Sequence, residues 1–222
     1  MARRRWQPLF NSMTRVQKLV HLAYRRDSTY IREMGDSLFH RLRDAYQETL
    51  RREAIAIGCP DPGPVWVNEG PGLSALRQRA DWAAESVANT YNYDLAVEIH
   101  HIRQETPTAN RNVYAFRLLQ WETERARWKN PQISLTETFW AINYAKEEFH
   151  RFNVIDVSYA EIRPFNTVCP ICAELVSANP YPSVAAIFVE TLLPVHANCP
   201  HYAHAVVGTK PTTMECKDLW LG

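Results

Sequence analysis

A cluster of soft ligands near the end of the chain constrains the fold more than anything upstream of it. Cys169-Pro-Ile-Cys172 is followed, 23 residues on, by His196-Ala-Asn-Cys199-Pro-His201. Two close pairs of sulfur or nitrogen donors separated by a loop are how a chain builds a tetrahedral metal site. Each pair closes a tight turn over two intervening residues, and the ion, at about 2.0–2.3 Å from its ligands, joins two distant pieces of backbone. The spacing predicts Cys169, Cys172, His196 and Cys199 as ligands. His201 is a possible substitute for one of them, with His204 and Cys216 in reserve. Two other readings use the same residues: a buried thiol cluster beside ordinary histidines, or a disulfide from Cys169 or Cys172 to Cys199. A zinc ion closed by four protein ligands has no open position and is structural, not catalytic.

Upstream of the cluster the apolar periodicity is helical. From Thr14 to about Ile57 apolar residues recur mostly every three or four positions, among them Val16, Leu19, Met34, Leu38, Leu42, Tyr46 and Leu50. This predicts one amphipathic helix, or two in line with Asp27-Ser28 capping the second. Such a length suits packing on a partner helix or a neighbouring subunit as well as a core. Cys59 to Gly72 carries four prolines and three glycines and cannot continue a helix; Cys59 reads as an ordinary thiol. Helices are expected from Leu73 to about Glu105 and from Val113 to Lys129. After Pro131 another is expected from Leu135 to Phe152, with Ser134 and Glu137 as a capping box. The adjacent His100 and His101 point about 100° apart on a helix and do not share an ion. The aromatics of the last helix have only Lys146 and Arg151 among them, which favours core over a base-stacking platform.

Val154 to Ile162 is the clearest strand, and Ala185 to Leu193 is the expected antiparallel partner. The predicted fold is mainly α with a small α+β C-terminal unit: a long N-terminal helix, a helical body, and a short β hairpin pinned by the Cys/His metal cluster. The expected organisation is a basic helical arm over 1–58, a connector over 59–72, a helical body over 73–153, the strand and knuckle unit over 154–207, and a tail over 208–222, expected as a loosely held end that Trp220 could anchor.

The formal net charge is +1, but residues 1–55 hold twelve Lys/Arg against six Asp/Glu, so the remainder is acidic. A basic arm suits nucleic acid or an acidic protein surface, and Arg3, Arg4 and Arg5 are its candidate contacts. A solvated helix face explains the same charges. No run of about 18 apolar residues is present, so no membrane-spanning helix is expected, and the start lacks the apolar core of a secretory signal. Five cysteines, four of them in or near the ligand motif, fit a reducing compartment better than a disulfide framework. There is no Gly-x-Ser-x-Gly, no phosphate-binding Gly-rich loop and no His-Glu-x-x-His. The deaminase pattern of His-x-Glu before Pro-Cys-x-x-Cys is also missing. No enzyme and no small-molecule substrate are expected.

Three stretches together carry a family pattern: Val154-Ile-Asp-Val-Ser-Tyr-Ala-Glu-Ile-Arg, Thr167-Val-Cys-Pro-Ile-Cys172-Ala-Glu-Leu, and Leu193-Pro-Val-His196-Ala-Asn-Cys199-Pro-His201. With Thr136-Glu137 and Ala141-Ile-Asn143 just upstream, they resemble the C-terminal signature of phage Mu F-like minor head proteins, also called phage head morphogenesis proteins. The resemblance covers about residues 95–206. The family's Gly after the first knuckle is Ser177 or Ala178 here, its His-Pro is His196-Ala197, and its Cys-Arg-Cys end is Cys199-Pro-His201, which leaves the last ligand open. The resemblance implies a structural protein of the virion, held inside the phage head near the portal or packaged DNA and present in the host cytoplasm during assembly. It implies a role in head morphogenesis or in genome packaging and delivery. Portal, major capsid protein and packaged DNA are then the expected partners, and zinc the expected structural metal. Two readings from other classes remain beside it. One is a nucleic-acid-binding zinc module. The other is a zinc-dependent nuclease using His196, His201 and His204 with Glu190.

Overall fold

The computed structural model describes residues 28–67, 70–153, 156–164, 170–191, 193–194, 199, 201–209 and 211–222. Three long helices carry most of them: α1 (Ser28–Ala56), α2 (Pro71–Glu105) and α3 (Arg111–Phe152). Then come β1 (Val157–Pro164), a 3-10 turn (Pro170–Cys172), α4 (Ala173–Ser177), α5 (Val184–Thr191), β2 (His201–Val207) and α6 (Thr213–Lys217). The fold is mainly helical, with a two-stranded antiparallel sheet near the C-terminus. The start of the basic arm, including Arg3, Arg4 and Arg5, lies outside the described residues.

By internal contacts the chain divides into two compact units, one taking in Asp81–Pro131 and the other Asp36–Ala80 with Gln132–Gly222. In the first, Leu95, Ile99 and Ile102 of α2 meet Tyr114 and Leu118 of α3. The side chain of Asn110 caps α3, accepting from the amides of Asn112 (3.0 Å) and Val113 (3.2 Å). Asp94 accepts from Arg125 at 3.0 Å, and that guanidinium lies over the rings of Tyr91 and Trp121.

In the second unit, Leu42, Tyr46 and Leu50 of α1 are fully buried four residues apart, which is the period the sequence carries. Gly58, at φ +99°, ends that helix in the left-handed region, with its amide on Ile55 O and that of Cys59 on Ala54 O. Gly72 lies in the first turn of α2, where a Cβ would meet the Tyr46 hydroxyl at 2.5 Å and the Glu148 carboxylate at 2.6 Å, so a larger residue would have to displace that hydrogen-bonded pair. Arg79 of α2 forks onto Glu137 of α3 at 2.6 and 3.1 Å.

Three expectations are overturned. First, α3 is one helix with Pro131 inside it, not two helices broken there. An interior proline costs about 3 kcal/mol. The helix continues because both flanks are committed to packing, Tyr114 and Leu118 on one side and Phe139, Ala141, Ala145 and Phe149 on the other. Ser134 is therefore no N-cap; its hydroxyl accepts from Arg41 at 2.8 Å. Second, the segment expected as the second strand is helix α5. Among its residues whose burial is described, Val184 and Ile187 are buried three apart, and the Ser183 hydroxyl accepts from the Ala186 amide at 3.0 Å as a cap does. The partner of β1 is β2, in a register that sets Ile162 opposite Ala203 and Pro164 opposite His201.

Third, Cys59 is not a free thiol and Cys216 is not a reserve ligand. The two form a disulfide, Cα to Cα 5.6 Å, across 157 residues of sequence. This disulfide departs from the expected reduced state; Cys172 and Cys199 are not bonded to each other, their sulfurs lying 3.6 Å apart. The tail is fixed as well. The amide of Trp220 donates to Asn153 Oδ1 (2.7 Å), the Asn153 amide returns a bond to Trp220 O (3.0 Å), and the Trp220 ring lies 4.6 Å from Phe152. Closing so long a loop restricts the unfolded chain, so reduction or C59S/C216S should lower unfolding stability by about 2–4 kcal/mol. Urea titration with and without reductant measures it.

Candidate metal centre

Three of the sequence candidates meet in one place. The 3-10 turn Pro170–Cys172 delivers Cys172, the chain ahead of β2 delivers Cys199, and His201 is the first residue of β2. All three are fully buried. Cys172 Sγ lies 3.6 Å from Cys199 Sγ, and Cys199 Sγ lies 3.6 Å from His201 Nδ1. One donor atom from each lies within 4.8 Å of the others, so the set can hold a metal ion. In a tetrahedron with bonds of about 2.0–2.3 Å, neighbouring donors are roughly 3.3–3.8 Å apart. Both measured separations fall in that window. Two thiolates and an imidazole are the donors that suit a soft or borderline ion and not calcium or magnesium.

The other candidates are sorted by the fold. Cys169 and His196 lie outside the described residues. His204 belongs to the opposite face of β2, since successive strand residues alternate and His201 and Ala203 are the buried ones. Burial, then the nearby Arg163 and Lys146 cations, lower the affinity of His204 for a proton. Cys216 is in the disulfide.

The centre is buried and its backbone is tied down. Ala160 and Ile162 of β1, Val184 and Ile187 of α5, and Tyr181, Leu193 and Ala203 surround the two thiols. The Asn179 side chain pairs with the Ile162 backbone like a strand, donating to its carbonyl (2.9 Å) and accepting from its amide (2.8 Å). Tyr181 and Ala160 exchange both backbone bonds, at 2.7 and 2.8 Å. From α3, the fully buried Asn143 donates to the carbonyls of His201 (3.1 Å) and Phe139 (2.9 Å) and accepts from the Ala203 amide (2.8 Å).

Asn143 thus fixes the backbone on which His201 sits. The sequence offers it only as part of Ala141-Ile-Asn143, with no sign of what it bonds. Asn143→Leu strands buried partners, each costing about 1–3 kcal/mol. We expect it to lower the thermal midpoint and weaken metal retention, read by unfolding and by competition with a chelator; unchanged retention would remove the positioning role.

Among the described residues, no helix is long and apolar enough to cross a membrane. No protein-family model, curated protein or solved structure matches the chain.

Proposed function

We propose that the chain is a structural minor head protein of a tailed bacteriophage, and that its Cys/His centre holds zinc. It acts inside the head, near the portal or packaged DNA, as an adaptor and not as a catalyst. Cys172, Cys199 and His201 supply three ligands, and Cys169 or His196 is the candidate fourth. Bound there, zinc would supply a structural cross-link between the segments that carry Cys172, Cys199 and His201. The chain's own residues do the rest. Asn143 and Asn179 hold the ligand-bearing backbone, and the apolar side chains around the thiols keep water out.

One observation carries the reading. The helix bearing Ala141-Ile-Asn143 and the segment bearing Cys199-Pro-His201 form separate parts of the resemblance, and they meet through Asn143 across 58 residues of sequence. A chance scatter of cysteines and histidines has no reason to place its strand on that asparagine.

The test is where the protein is found. In lysates of a host producing the phage that encodes it, the chain should sediment with DNA-filled heads and survive their purification. Recovery only in the soluble fraction, bound to nucleic acid, would replace this reading with a free zinc module. Elemental mass spectrometry of the purified chain should find about one zinc, the content of a single closed site.

A further inference from the structure

The chain after β2 crosses the second unit as a strap. Its root is pinned, with the Gly208 amide donating to Asp156 O (2.8 Å) and the Thr209 hydroxyl to Asp156 Oδ2 (2.9 Å). Past the root, α6 satisfies its own first turn through a capping box between Thr212 and Glu215. Glu215, Lys217 and Asp218 are exposed. Two attachments follow. Cys216 is bonded to Cys59, just beyond the end of α1. Trp220 then exchanges two hydrogen bonds with Asn153 and meets the Phe152 ring. Gly222 lies against Val67 and Leu50, which are 4 % and 0 % exposed. Among the described residues, Asn153 is the one side chain of the helical body that hydrogen-bonds to the strap.

We propose that the Cys59–Cys216 disulfide is a thiol-sensitive latch: its reduction lets residues 211–222 leave the body and uncovers apolar surface on Leu50, Val67 and Phe152. The reason is tether length. With the bond in place, Trp220 is four residues from a fixed point; without it, the nearest is Thr209, eleven residues away. Closing a flexible loop becomes harder with about the three-halves power of its length, so reduction makes the undocked tail about five times more populated. One asparagine and one ring contact are the kind of sparse attachment that opens locally while a core stays shut.

Exposure sets where the reductant enters. Cys59 is buried and Cys216 half-buried, so a small thiol reaches the Cys216 sulfur first. Its thiolate attacks that sulfur, the S–S bond breaks, and Cys59 leaves as a thiolate that takes up the proton the attacking thiol gave up. A second thiol attacks the small molecule's sulfur in the mixed disulfide, and Cys216 leaves with the proton. One protein disulfide and two small thiols give two protein thiols and one small disulfide.

Amide hydrogen exchange on the intact chain tests this, before and after excess glutathione and in the C59S/C216S variant, with alkylation to report the redox state. Residues 219–221 should exchange about five-fold faster, or more, in the reduced protein and in the variant alike. Reoxidation of the reduced protein should restore the slow rate, and Leu42 and Tyr46 of α1 should keep their protection throughout. Trp220→Ala in the oxidised chain should speed the same tail amides with α1 unchanged. Equal tail exchange in oxidised and reduced protein overturns the latch. A tail unaffected by Trp220→Ala overturns the docking on which the latch acts. Loss of protection in α1 together with the tail overturns the strap, because the disulfide then holds the body itself.

Discussion

The C172S/C199S variant should bind no zinc and lose the folded state of its C-terminal α/β unit, the largest effect expected of any paired substitution in the chain. Among the described residues, the apolar core of this segment is small. Its sheet has two strands, a size that is marginal in water without further support. Among the described residues its core is nine buried residues, four of them alanine or cysteine, the two cysteines being candidate ligands themselves. A structural zinc contributes on the order of 10 kcal/mol of apparent binding free energy in small zinc peptides, more than a core of this size supplies. Serine hydroxyls in the same buried pocket neither bind the ion nor find partners. Amide hydrogen exchange is the direct measurement. Protection at Ala160, Ile162 and Ala203 should collapse in the variant and in metal-stripped wild type alike, while α1 and the second half of α3 keep theirs. Equal protection in variant and wild type would mean that packing alone holds the strands, and the structural role of the metal would fall.

Replacing Glu53 should cost about 3–5 kcal/mol, the usual penalty for removing one partner of a buried charge pair. Glu53 on α1 accepts from Lys146 (2.6 Å) and from His150 (3.1 Å) on α3, and all three are almost wholly buried. Lys146 also lies over the ring of Tyr202 on β2, 5.1 Å away. Without the carboxylate, the ammonium has no counter-charge in a site closed to water. The triple contact also predicts an acid limb. Burial by itself would push the Glu53 carboxyl up, but hydrogen bonds and charge from His150 and Lys146 outweigh it and hold the group at about 2. Its folded value is therefore below its unfolded one, near 4.5. The stabilisation is fully present above about pH 4.5 and is lost as pH falls from there through about 2. Glu53→Gln should flatten that part of the stability–pH profile as well as lower the plateau. The E53L/K146M pair should recover much of the loss, because an apolar pair of similar volume leaves no orphan charge. A single variant as stable as wild type between pH 5 and 8 would show that water reaches Lys146.

The two effects are legible in the sequence to very different degrees. Cys172 and Cys199 announce themselves by residue type and spacing, since few other uses demand soft ligands in close pairs, while His201 stood only as a possible substitute. Glu53, Lys146 and His150 look like ordinary members of charged helix faces, and nothing local distinguishes them from solvated neighbours such as Arg52. The same contrast runs through the helices. Leu42, Tyr46 and Leu50 were readable because burial imposes a period that the chain must carry in its own order. The fate of Pro131 was not, because local chemistry argues for a break and the opposing argument comes from residues on both flanks packing elsewhere.

By itself, then, the sequence determined the helical character of the body, the irregular stretch from Cys59, the first strand and the soft-ligand chemistry near the end. These follow from periodicity, backbone restriction and side-chain type, which act over a few residues. Tertiary structure alone decided which partners those elements take. It paired β2 and not the Ala185–Leu193 segment with β1 as a strand, joined Cys59 to Cys216, brought Asn143 under His201, set His201 beside Cys199, and buried Glu53 with Lys146 and His150. Apart from the step from Cys199 to His201, each of these is a contact between residues far apart in the chain. Its energy depends on what water is excluded and which polar groups would otherwise be left unpaired, and no local pattern encodes that.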